Sequence, residues 1–126
     1  MDVLYKGVAF DGKISVTVIE ATEMVNKAIE IHGLSPLAAA ALGRSLIAAT
    51  FMSSTLKSAE DRLSVTLSGD GVGGQIVVAG DAALNMRGYI DNPTCCLPLN
   101  AKGKLDVAGC VGKGRLTVVK SMGLKE

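Results

Sequence analysis

A chain of 126 residues suits one domain, and an apolar share of 48% supplies material for a core. Thirteen basic residues against twelve acidic ones leave a formal charge of +1, and Tyr5, Phe10, Phe51 and Tyr89 are the aromatic complement. A phosphate-backbone binder needs a basic surface for counterion release, and a single-strand reader needs stacking platforms, so nucleic acid is not an expected partner.

The opening MDVLYKGVAF lacks the basic and long apolar regions of a secretory leader. Two strand-like runs follow from it, residues 3–10 and 14–19, rich in β-branched and apolar types. Asp11-Gly12 between them predicts a tight hairpin, because both positions tolerate positive φ.

A helix comes next. Thr22 is a candidate N-cap, Glu23 suits the positive end of the helix dipole, and Met24, Ala28 and Ile31 share one face. Gly33, directly after His32, supplies a left-handed C-terminal cap. Ser35-Pro36 then opens a second helix, serine as cap and proline at the first position, which is predicted to run to about Leu56. Leu37, Leu42, Leu46, Ile47, Phe51 and Leu56 leave it no polar face, which marks a buried core helix. Arg44 at its centre and its alanine content keep it short of a membrane span, so no membrane association is expected.

The remainder reads as β-structure. Residues 62–68 alternate strictly, with Leu63, Val65 and Leu67 on one side and Ser64, Thr66 and Ser68 on the other. A glycine-rich turn leads to 75–79, then 84–90, Asn92-Pro93 interrupts, and a last strand spans 115–120. The order β-β-α-α-β-β-β-β predicts an α+β fold, antiparallel strands packed on a buried apolar helix and a second amphipathic helix. The final strand is followed by few polar residues, with nothing to cover the edge it creates, as in a chain that once continued. Residues 101–126 carry six Lys/Arg against Asp106 and Glu126, a solvated surface.

Several patterns invite a chemical reading. Gly69, Gly71 and Gly74 match G-x-G-x-x-G after a strand, and a small-molecule or nucleotide-binding enzyme domain using the Gly69–Gly74 loop is the alternative function. That motif needs a helix next, whereas Gln75–Ala79 reads as a strand. Gly7–Lys13 lacks the hydroxyl residue that a P-loop uses for magnesium. His32 is the one histidine, and no activated nucleophile is marked beside it. Cys95 and Cys96 are adjacent and Cys110 stands fourteen residues beyond Cys96, a poor spacing for tetrahedral zinc. Neither a disulfide framework nor a metal site is implied within the chain. No catalytic, cofactor-binding or metal residue is therefore predicted.

The stretch Glu20–Leu56, with HG-x-SP and AAAALGR-x-L at His32–Leu46, resembles the helical signature of the redox-regulated 33 kDa heat-shock chaperone family. The resemblance continues through RLSVTLSGDGVGG (Arg62–Gly74), MRGYIDNP (Met86–Pro93) and GKGRLTVVKSMGL (Gly112–Leu124), in family order over nearly the whole chain. It implies an ATP-independent holdase, not an enzyme, that binds unfolded client polypeptides under oxidative and heat stress and works as a homodimer in the cytoplasm. It also implies that residues 1–126 are the incomplete N-terminal core, without the linker. Zinc, and the C-x-C and C-x-x-C cysteines that hold it, would belong to a C-terminal module absent here. Cys95, Cys96 and Cys110 do not match those positions. A holdase needs exposed apolar surface, and the alternating residues Leu63, Val65, Leu67, Ile76 and Val78 are the client-binding candidates. Alternation leaves open whether that face meets the client or the helix.

Overall fold

The computed structural model describes residues 1–122. The end of the GKGRLTVVKSMGL block, Gly123 and Leu124, lies outside the described residues, as do Lys125 and Glu126. The elements are β1 (Val3–Ala9), β2 (Ile14–Glu20), α1 (Thr22–His32), α2 (Pro36–Ser53), β3 (Arg62–Gly69), β4 (Ile76–Asp81), β5 (Arg87–Ile90), α3 (Val107–Val111) and β6 (Gly114–Ser121). β1 and β2 form an antiparallel hairpin, and the other strands form one antiparallel sheet in the order β5-β4-β3-β6. The fold is α+β, as the order of runs predicts.

The hairpin turn places Phe10, Asp11 and Gly12 all at positive φ, and the Lys13 amide donates to the Phe10 carbonyl at 3.2 Å. Asp11-Gly12 thus does what its sequence predicts, within a four-residue connection. The α1 cap differs from expectation. Thr22 is already helical, and the cap is supplied from a distance by Asp2, whose carboxylate oxygens accept from the Glu23 and Met24 amides at 2.9 and 2.8 Å. This ties the start of β1 to the start of α1. Gly33 closes α1 in the left-handed region, its amide bonded to the Ile29 carbonyl. Met24, Ala28 and Ile29 pack against the core, whereas Ile31 overhangs it and is 66% exposed.

Ser35 caps α2 through its Oγ, and Pro36 occupies the first turn. The helix stops at Ser53 rather than Leu56. The hydroxyls of Ser54 and Thr55 fold back onto the Phe51 and Met52 carbonyls, satisfying groups a longer helix would have paired. Leu37, Ala38, Ala41, Leu42, Leu46 and Ala49 bury one side of α2 against the sheet. The other side stays open at Arg44, Ala48 and Phe51, so the helix is a core element on one face only. Gly43 admits the Val25 side chain of α1, whose Cγ1 would lie 3.2 Å from an added Cβ.

Two elements depart from the predicted order. β5 begins at Arg87, because Asp81 gathers the amides of Ala83 and Asn85 and the Asn85 side chain into a turn, with Leu84 at positive φ. A short helix, α3, precedes β6, capped by Asp106 on the Gly109 amide.

Candidate functional site

The five residues proposed from alternation lie inside the body. Leu63, Ile76 and Val78 are 2% exposed or less, Val65 is buried beside them, and Leu67 is partly covered. α2 lies on this face, so these side chains form the core in this fold and are covered rather than open to solvent. Alternation marks an apolar face without saying what covers it.

The Gly69–Gly74 loop is likewise committed internally. A strand follows it, not a helix. The amides of Asp70, Gly71 and Gly73 donate to the carbonyls of Lys113, Val111 and Cys110 at 3.1, 3.0 and 2.9 Å. The Gly74 amide donates to Gly71, and the Gln75 amide to the Asp91 carboxylate. A phosphate cradle presents free amides to its ligand, and this loop has spent its own on α3 and its neighbours. The glycines are needed because α3 lies against them: a Cβ at Gly73 would sit 2.6 Å from the Cys110 Sγ. The nucleotide-loop reading is therefore overturned.

The open apolar surface lies elsewhere. In the hairpin register, Tyr5 faces Val18, Gly7 faces Val16 and Ala9 faces Ile14, all on one side. Tyr5, Ile14, Val16 and Val18 are 46–59% exposed, and Phe10 and Val8 near the turn are more so. The opposite side carries Leu4 and Ile19, partly buried over Met24 and Thr50, and Lys6, whose Nζ donates to the Ser54 carbonyl at 3.1 Å. The hairpin therefore rests on the body by one face and presents the other to solvent. A second open region follows β6. Leu116 and Val118 pair with Leu67 and Val65, so they share the α2 side of the sheet, yet they are 56% and 40% exposed. Together with Ala48, Met52, Val107 and Val111, Leu116 lines an apolar groove of about 300 Å³. Both surfaces were legible as strands in the sequence. What was missing was which strands α2 would cover.

The zinc that the resemblance implies finds no ligand set in these residues. Cys95 and Cys110 are buried side by side, Cys96 is exposed, and among the described residues no three His, Cys, Asp or Glu side chains converge. Two thiols fall short of the four ligands of a structural zinc site. His32 remains at the end of α1, half-buried.

Comparison with known proteins agrees with this architecture. The family model described as Hsp33 protein matches residues 2–126. A 33 kDa chaperonin of Ruminiclostridium cellulolyticum is 48% identical over 125 residues, covering 99% of this chain and 43% of that protein. One from Acetivibrio thermocellus is 46% identical, covering 99% of this chain and 42% of its own length. The crystal structure of the 33 kDa chaperonin (heat shock protein 33 homolog) of Thermotoga maritima superposes with a TM-score of 0.89 at 39% identity, over 97% of this chain and 42% of that one. The chain thus spans about two fifths of the length of these relatives. On the family match over almost its entire length, it belongs to the Hsp33 family.

Proposed function

We propose that this chain acts as the client-holding core of an ATP-independent, redox-regulated holdase, binding unfolding polypeptides in the cytoplasm under heat or oxidative stress. The observation that carries this reading is the row Tyr5, Ile14, Val16 and Val18, an apolar sheet face left in solvent on a hairpin whose other face is anchored. Soluble monomers avoid contiguous apolar surface of this kind unless it binds something, and extended apolar segments of an unfolding protein are its chemical match. Membership of the Hsp33 family supports the same class of activity. No enzymatic step is part of the reading. Redox control and zinc belong, by the family resemblance, to length of the relatives that this chain does not span. Residues 1–126 are read as the N-terminal core, acting as a homodimer.

The test is suppression of light scattering by a thermally unfolding model enzyme, without ATP or oxidant. The wild-type chain is expected to suppress aggregation near stoichiometric ratios. The triple variant Tyr5→Ser, Val16→Thr, Val18→Thr is expected to need about tenfold more protein. Its fold should survive, because exposed substitutions usually change stability by about 0.5 kcal/mol or less each. Complete client aggregation in the presence of excess, demonstrably folded wild type overturns the holdase reading. Undiminished protection by the folded triple variant overturns the hairpin as the surface. Sedimentation of the wild type checks the dimer.

A further inference from the structure

Cys95 and Cys110 are distant in sequence terms, with fourteen residues between them, yet their sulfurs lie 3.7 Å apart inside the core. A disulfide requires about 2.05 Å, so the two Sγ atoms need to close by roughly 1.7 Å. Both backbones are held. The Cys95 amide donates to the Asn92 carbonyl, and its own carbonyl accepts from the Ser35 Oγ that caps α2. The Cys110 carbonyl accepts from the Gly73 amide, and its Sγ fills the space left by the missing side chain of Gly73. Neither thiol can easily move away from the other.

We propose that Cys95 and Cys110 are a redox site of this chain, converted to an intramolecular disulfide by a hydroperoxide. This inference does not rest on the holdase reading. One sulfur attacks the peroxide, forming an S–O bond as the O–O bond breaks, and the departing hydroxide leaves as water after taking a proton. The other sulfur then attacks the resulting sulfenic acid, forming S–S and expelling a second water. In sum, two thiols and one hydrogen peroxide give one disulfide and two waters, with two electrons passing from sulfur to oxygen. Burial, and then the hydrogen bond to Cys95, push the Cys110 thiol up to about 11, so little thiolate is present at neutral pH. The pair therefore answers strong or prolonged oxidant. The product would fasten the loop whose Cys95 carbonyl holds the Ser35 cap of α2 to α3, the element that feeds β6.

The experiment exposes the folded full chain, as wild type and as Cys96→Ser, to millimolar hydrogen peroxide at neutral pH. Free thiols are then alkylated in denaturant, and the chain is mapped by non-reducing peptide mass spectrometry. In Cys96→Ser, a peptide pair joined through Cys95 and Cys110 is expected in monomeric protein, with both thiols lost together. In the wild type this link should exceed any link involving Cys96 at least tenfold. The same oxidation in denaturant should remove that preference. Two alkylatable thiols in oxidised Cys96→Ser, oxidation there to sulfinic acid without a link, or a wild type dominated by Cys96 links, would each overturn the proposal. Because Cys96 is exposed, its replacement leaves the fold intact, and the reading does not depend on a core variant folding.

Discussion

Gly71→Ala tests whether the glycine loop is a packing joint or a ligand cradle. An alanine Cβ at this position would overlap the carbonyl oxygens of Cys110 and Gly109, the latter at 2.5 Å, and both belong to α3 backbone. Backbone cannot swing aside as a side chain does. Relief to 3.0 Å needs α3 to retreat by about half an ångström, away from the very amides that hold it at 2.9 and 3.0 Å. Forcing an extra methyl into such a site costs about 1–3 kcal/mol. Weakening one or both of the loop-to-α3 hydrogen bonds, from the Gly71 and Gly73 amides, adds about 1 kcal/mol each. The expected loss is therefore about 3 kcal/mol, a large part of the ~5–15 kcal/mol by which domains are stable, and on the order of 10 °C in melting temperature. Urea unfolding at fixed pH measures it, with an unchanged slope showing that only the native state was altered. Gly7→Ala is the internal control. Nothing lies within 4 Å of its Cβ, and its stability should match wild type to about 0.5 kcal/mol. A Gly71→Ala protein within about 1 kcal/mol of wild type would refute the packing argument. If it also lost a nucleotide-dependent rise in melting temperature, the ligand reading would return.

Two further perturbations address the ends of the fold. Asp2→Ala removes both acceptors from the first amides of α1 and should cost about 1 kcal/mol by urea midpoint, with faster hydrogen exchange at Glu23 and Met24, while Asp2→Asn recovers part of it. Asp81 is held below its usual value of 3.8 chiefly by the backbone amide of Asn85, and then by the Asn85 side chain. A depressed carboxylate contributes stability that is present above pH 4 and lost as pH falls through its lower folded value. Wild type should therefore lose more stability than Asp81→Asn as pH drops from about 4, the two urea midpoints converging in acid; parallel curves would show that the 81–85 turn contributes nothing.

The elements legible in the sequence were those specified by neighbouring residues. Ser35-Pro36 starts α2 and Gly33 ends α1 because a cap is a local matter of one hydroxyl or one left-handed residue. The elements misread depended on distant partners. Asp2 caps α1 across twenty-one positions, and no pattern near Thr22 announces it. α3 is a five-residue turn of helix whose stability comes from the glycine loop it packs on, and its own sequence, VAGCV, carries no helical period. The Cys95–Cys110 contact has the same character, since spacing alone placed those residues in unrelated segments.

The burial of the residues read as a client surface follows from a dimension that alternation does not contain. A helix is about 10 Å across and strands lie about 4.8 Å apart, so one helix reaches the strand beneath it and that strand's neighbours. α2 is centred on β4 and reaches β3 and β5 on either side, and Leu63, Val65, Ile76, Val78 and Ile90 vanish beneath it. β6 continues the same face, yet Leu116 and Val118 emerge beyond the helix. β1 and β2 belong to another sheet altogether and meet α2 with their other face, which leaves Tyr5, Val16 and Val18 uncovered. The chain possesses more apolar sheet than its helices can cover. The strands whose alternation looked most like a binding face were the ones best placed to be covered, and the apolar sheet left in solvent is on the strands that α2 does not reach.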